Sequence, residues 1–160
     1  MEARLDFKTV APDGYRALLG LEGYLAKSGL ERGLLNLVVL RASQINGCAY
    51  CIDMHTKDLR AAGESEQRLY LLDAWREAPF YTERERAALA WTEAVTRLTG
   101  HEVSDEVYEQ ARRIFSEKEL VALNIAVVAI NGWNRMNMAF RTVAGTYQPA
   151  ATAQHAGASA

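Results

Sequence analysis

The sequence predicts an all-α fold, a single-domain bundle of six to seven helices. Three observations carry that expectation. Apolar residues recur at three- and four-residue spacing through nearly the whole chain. Only three prolines occur in 160 residues, Pro12, Pro79 and Pro149, and each stands where a boundary is wanted. The ends of the periodic runs also carry stop and start signals. Gly29, Asn46-Gly47, Gly63 and Gly100 are stops, and two Ser/Thr-x-x-Glu capping boxes are starts.

In chain order, residues 1–11 alternate weakly and read as an extended arm. The first helix spans Asp13 to about Lys27, with Leu18, Leu21 and Leu25 on one face. A second runs from about Glu31 to Ile45, its apolar side formed by Leu34, Leu37, Val38 and Ile45. The third opens at or beside Cys48 and ends near Ala62, and a short fourth covers about Ser65 to Trp75. The fifth begins at the capping box Thr82/Glu85 and continues to Leu98. The sixth starts at Ser104, with Asp105 and Glu106 where acid favours the helix dipole. The seventh begins at the capping box Ser116/Glu119 and reaches about Arg141.

The stretch Leu120–Ile130 of that last helix is apolar nearly all round and must be covered on most sides. A central position in a monomer and a subunit interface satisfy that equally well. The domain therefore occupies residues 1–148, and the small, polar stretch 149–160 reads as a disordered tail.

Composition narrows the function classes. Hydrophobic residues make up 49% and charged residues 24%, the balance of a globular protein. Eighteen Lys and Arg against twenty Asp and Glu give a net charge of −2, with no basic run, which argues against a nucleic-acid partner. No apolar run approaches the ~18 residues of a spanning helix, which argues against a membrane. Two cysteines are no disulfide framework, so the expectation is a cytoplasmic protein whose thiols start reduced.

Those two cysteines sit in the segment SQINGCAYCIDMH. Cys48, Cys51 and His55 are spaced by three and four residues and share one helix face. A C-x-x-C pair at a helix start has lowered thiol pKa values, and a histidine one turn on can take or return a proton. Three chemistries compete: a dithiol redox centre, a metal site and a pair of inert buried cysteines. A structural metal site wants four ligands, and the remaining histidines, His101 and His155, are badly placed to supply one. No bound metal or cofactor is expected. Between the two thiols the residues alone leave a choice. The helix terminus favours ionisation of Cys48, while the i,i+4 neighbour His55 favours Cys51.

The segment LRASQINGCAYCIDMHTKDLRAAGE resembles the core of the alkylhydroperoxidase D (AhpD)-like branch of the carboxymuconolactone decarboxylase superfamily. The stretches ERERAALAWTEAVTRL and ELVALNIAVVAINGWNRMNMAFR are similar to family members too, so the likeness covers about residues 15–142. It implies an all-helical homo-oligomer, a trimer or hexamer, that reduces hydroperoxides with electrons from an external dithiol. On it, Cys51 is the peroxidatic thiol, Cys48 the resolving thiol and the point of access for the reductant, and His55 part of a proton relay. The alternatives are a disulfide sensor or oxidoreductase without peroxidase activity, a lactone decarboxylase, and a scaffold with inert thiols. Relatives with decarboxylase chemistry generally lack the C-x-x-C pair.

The likeness breaks at one position. The relay glutamate of the family falls twelve residues before the first cysteine, and this chain has Asn36 there. An amide neither accepts a proton nor supports an imidazolium by charge. Weak turnover is the expectation, with Glu31, Glu85 or Glu93 as possible substitutes. Asp53 falls on another face of the motif helix. Tyr50, between the cysteines, either donates to a peroxide or packs. Asn124, Asn131 and Arg135 form one stripe of the last helix, lining a pocket or bonding across an interface. Trp91 and Trp133 read as core or interface aromatics, Ser43 as bonded to backbone, and His101 and His155 as solvated.

Overall fold

In a computed structural model, which describes residues 2–149, all seven anticipated helices are present and an eighth precedes them. The extra helix, α1 (Phe7–Val10), corrects the expected extended arm. Asp6 accepts a hydrogen bond from the Lys8 N–H, and Phe7 is buried against Tyr15 and Phe140. An apolar side chain with somewhere to go wound the arm into one turn. The helices that follow are α2 (Pro12–Leu25), α3 (Arg32–Asn46), α4 (Ala49–Ala61), α5 (Glu66–Tyr70), α6 (Glu83–Arg97), α7 (Asp105–Ile114) and α8 (Glu117–Phe140).

Both capping boxes close as the spacing requires. The hydroxyls of Thr82 and Ser116 accept from the N–H groups of Glu85 and Glu119, whose carboxylates return to the capping residues' backbone. Pro12 takes the first position of α2, and Gly47 ends α3 in the left-handed region at φ 70°, ψ 29°.

The expected fourth helix is divided. After α5 the chain tightens into a 3₁₀ turn over Leu72–Ala74. Leu69, Leu72 and Trp75 are all buried in one cluster. They recur every third residue, and a winding of three residues per turn keeps them on one side where an α-helix rotates them away.

Helix α8 is the centre of the bundle, with α2, α3, α4, α6 and α7 packed around it. Its apolar run is covered within the chain except at Val121 and Val128, which stay 57% and 54% exposed. The largest core cluster joins α2, α3, α6, α7 and α8. Another joins α3, α4 and α6 to the turn around Leu72. Between them lies a buried ion pair, where Arg41 donates through Nε to Glu93 at 2.8 Å and also reaches Asp73. Trp75, Arg76 and Arg97 donate to the same Glu93 carboxylate.

Beyond α8 the chain leaves through Arg141, in the left-handed region at φ 55°, and crosses α4 as a strap. The Gly145 N–H donates to Asp53 at 3.0 Å, and Lys57 Nζ donates to the Tyr147 carbonyl at 3.0 Å. The tail expected to be disordered lies, apart from Pro149, outside the described residues. Among those residues, no helix is long and apolar enough to cross a membrane.

Candidate active site

The turn between α3 and α4 sets the dithiol. With Gly47 in the left-handed region, the Cys48 N–H folds back onto the Ser43 carbonyl at 3.0 Å. Cys48 is then the extended N-cap of α4 and Cys51 lies in its first turn. Both are free thiols in a small apolar cluster with Ala42 and Ile130, flanked by Val39, Tyr50 and Trp133. They are 1% and 0% exposed.

The polar surroundings of the sulfurs come from α8. Asn137 Nδ2 donates to Cys51 Sγ at 3.5 Å and to the Trp133 carbonyl at 2.9 Å. Asn134, fully buried, donates to Ser43 Oγ at 3.1 Å and accepts from Asn46 Nδ2 at 2.8 Å. These amides tie α8 to the α3–α4 turn and turn N–H donors toward the thiols.

The two thiols titrate as one unit. Cys48 is lowered from 9.0 to about 7 because the Cys51 thiol donates to it. The Cys51 and Tyr50 backbone N–H groups and the Asn134 amide assist, against burial. Cys51 is raised, since its proton is held by Cys48, burial disfavours its anion, and the Cys48 charge stands beside it. The resting centre above neutral pH is a monoanion, charged on Cys48 and protonated on Cys51.

Only Cys51 of the pair lines the large cavity, of about 550 Å³, between α2, α3, α4 and α8. His55 shares that wall. It is half-buried, but its Nε2 is enclosed and has no hydrogen-bond partner among the described residues. Burial lowers its pKa from 6.5 to about 4, against the charge of Asp58, so the imidazole is neutral at physiological pH. Leu19, Leu25, Leu30, Leu35 and Ile130 make the walls largely apolar. Cys48, expected to be the reductant's point of access, lies away from the cavity.

The residues expected at the site divide clearly. Cys51, His55, Asn36 and Tyr50 all line the cavity, and the two alternatives for Tyr50 merge, since it packs beside the dithiol and faces the opening. Glu31, Glu85 and Glu93 do not line it. Arg84 holds Glu31, Arg68 holds Glu85 and Arg41 holds Glu93, so each carboxylate is taken by an arginine that does not line the cavity. Asp53 pairs with Lys57 at 2.9 Å. Asn124, Asn131 and Arg135 also miss the cavity, and Asn131 instead bonds Asn46, Thr96 and the Val127 carbonyl. Ser43 donates to the Val39 carbonyl as expected. Trp91 is core, whereas Trp133 lines the cavity and donates from Nε1 to Glu22 at 2.9 Å. His101 is exposed, and His155 lies outside the described residues.

Sequence reasoning missed Asn134, Asn137, Asp58 and Glu22. Asp58 had a readable signal, three residues after His55 on one helix. The asparagines had a weaker one, as polar residues on an apolar helix that need partners.

Comparison with known proteins places the chain in company. The profile of the carboxymuconolactone decarboxylase family matches residues 12–94. The uncharacterized protein YdfG of Bacillus subtilis is 41% identical over 139 residues, covering 87% of this chain and 95% of YdfG. A crystal structure of an Agrobacterium tumefaciens protein of unknown function superposes with TM-score 0.87 at 42% identity, covering 91% of this chain and all of that one. That protein is a candidate AhpD of antioxidant defence. The debrominase Bmp8, solved as a cysteine-to-alanine variant in complex with 2,3,4-tribromopyrrole, shares the fold at TM-score 0.77 and 20% identity, covering 86% of this chain and 74% of Bmp8.

Proposed function

Because the chain belongs to the carboxymuconolactone decarboxylase family, we propose that its Cys48–Cys51 pair makes it a thiol-dependent hydroperoxide reductase of AhpD type. The observation that supports this most is that Cys51 and an unpartnered His55 Nε2 share one cavity wall. A hydroperoxide entering there meets a sulfur nucleophile and a proton carrier together.

The cycle then runs in balanced steps. Cys51 Sγ attacks the terminal peroxide oxygen, the S–O bond forms and the O–O bond breaks. The thiol proton passes through His55 to the departing alkoxide, leaving an alcohol and a sulfenic acid on Cys51. The Cys48 thiolate attacks that sulfur, the S–S bond forms as the S–O bond breaks, and the displaced hydroxide takes a proton from solvent and leaves as water. An external dithiol reduces it by exchange and is itself oxidised to a disulfide. The acting form is a homo-oligomer, trimer or hexamer, in a reducing compartment.

The experiment is a free-thiol count on reduced protein before and after one equivalent of cumene hydroperoxide. The expected result is a fall from two thiols to none, reversed by dithiothreitol. Cys51→Ser abolishes it, and Cys48→Ser stops after one turnover. Two thiols persisting for hours overturn the peroxidase reading and favour the disulfide sensor or the scaffold. Lactone decarboxylation by a variant lacking both cysteines overturns it in favour of that chemistry.

A further inference from the structure

Asn36 brings only an amide to the cavity wall, and the carboxylate whose charge reaches the imidazole is Asp58, on the histidine's own helix. Asp58 lies three residues after His55 on α4 and lines the same cavity. On a helix that separation puts the Cβ atoms about 5–6 Å apart. The carboxylate is held from outside, because Tyr147 of the C-terminal strap donates to Asp58 Oδ1 at 2.7 Å. Lys57 and Asp53 pin the strap to α4 at Tyr147 itself and at Gly145 before it. Among the described residues Asp58 makes no hydrogen bond to His55, so it acts on the imidazole as a nearby charge.

The other charged and titratable groups of the cavity do not compete for this part. Glu22 on α2 is taken by Trp133 Nε1. Lys8 on α1, which stacks over Tyr15, and Arg32 on α3 are cationic and disfavour an imidazolium. On α4 itself Tyr50 offers a phenol rather than a carboxylate, and Cys51 keeps its proton in the resting state described above.

We propose that Asp58, held by Tyr147, is the positioning carboxylate of His55, making transient protonation of the imidazole possible where Asn36 cannot. The Asp58 charge stabilises the imidazolium while the proton from Cys51 is in transit, and the proton moves on when the alkoxide takes it. The assignment deepens the hydroperoxide-reductase reading and rests on it for its kinetic consequence. Its electrostatic consequence is separate.

Two measurements on the full chain test it, with Asp58→Asn and Tyr147→Phe as variants. In the first, His55 is titrated by NMR in the reduced protein. Asp58→Asn lowers the His55 midpoint by about one unit, the shift typical of losing a nearby opposite charge. Tyr147→Phe, which removes the strap's hydrogen bond to Asp58 but keeps the charge, lowers it by less than half as much. An unchanged midpoint in Asp58→Asn, or an equal fall in both variants, overturns the proposal, the second because docking of the strap then explains the effect.

In the second, Cys51 oxidation by cumene hydroperoxide is followed alongside alkylation by iodoacetamide. Asp58→Asn slows oxidation at least about tenfold, the low end for lost acid–base assistance, and leaves alkylation of the Cys48 thiolate within about twofold, because that sulfur has no proton to lose and iodide departs without one. Asn36→Glu in the Asp58→Asn background restores oxidation. Equal slowing of both reactions overturns the proposal as a structural effect. If the unaltered protein is not oxidised at all, the reductase reading fails and the His55 titration alone decides the role of Asp58.

Discussion

Asn137 Nδ2 stands 3.5 Å from Cys51 Sγ, a donor delivered to the thiol from a helix 86 residues further along the chain. The amide is fixed by its second bond to the Trp133 carbonyl, so it does not turn away when charge develops on the sulfur. Hydrogen bonds to charged groups are worth roughly 1.5–3 kcal/mol. Asn137→Leu keeps the volume and removes the donor. Oxidation of Cys51 by hydroperoxide is expected to slow at least about tenfold, with the melting temperature little changed, as read by thiol loss in stopped flow.

The coupled dithiol predicts a single ionisation near neutrality. Alkylation by iodoacetamide should rise with pH about a midpoint near 7, the value to which Cys48 is lowered, with modification falling first on Cys48 by peptide mapping. Cys51→Ser replaces the strongest donor to Cys48 by a shorter hydroxyl. The Cys48 midpoint should move upward, toward the ordinary thiol value of 9.0.

Asn36→Glu puts a carboxylate on the wall of the cavity that His55 also lines. The rate of the first oxidation should rise, by about tenfold on the low end of acid–base assistance. No gain overturns the account of position 36 as a missing relay acid.

Glu93 holds Arg41 in the interior, and both side chains are nearly inaccessible. Glu93→Ala leaves the guanidinium buried with only Asp73 and the Gln44 amide as side-chain partners and should cost about 3–5 kcal/mol in urea unfolding. Burial opposes ionisation of the Glu93 carboxyl, but Trp75, Arg76 and Arg41 outweigh it and lower the carboxyl to about 2. Its contribution is therefore complete above the ordinary value of 4.5 and is lost as pH falls toward 2. His55 acts in a higher window. The unfolded chain binds its proton below 6.5 and the folded one only below about 4, so stability declines as pH falls through that interval. His55→Phe should flatten the pH dependence of stability between 6.5 and 4.

Leu19 lies at the cavity's edge, 41% exposed. Leu19→Trp narrows the opening without disturbing the buried core. Cumene hydroperoxide oxidation should fall about tenfold while hydrogen peroxide oxidation changes less than about twofold. Equal effects on both would mean that substrate reaches the thiol by another route.

The helix ends were legible because they are written locally. Thr82/Glu85, Ser116/Glu119 and Gly47 each act within four residues, and so do Cys51 and His55 of α4, whereas Cys48 is the extended cap before that helix and not on its face. The Leu69–Leu72–Trp75 turn was not, because its winding answers to what it packs on. The partners of the site were hidden for the same reason. Asn134 and Asn137 meet the α3–α4 turn and the dithiol across more than eighty residues, and Tyr147 meets Asp58 across 89. Nothing in one sequence assigns Glu31, Glu85 and Glu93 to arginines rather than to His55, since pairing across helices depends on how the bundle closes.

Cys51 lines the cavity and Cys48 does not, which would control traffic under the proposed function. In the proposed cycle oxidant and reductant use one doorway and must take turns. The alcohol has to leave before the dithiol arrives, and a crowd of hydroperoxide at the mouth keeps the reductant waiting. Steady-state rates should therefore climb, peak and then decline as hydroperoxide is raised at fixed dithiol, and more dithiol should push the peak outward.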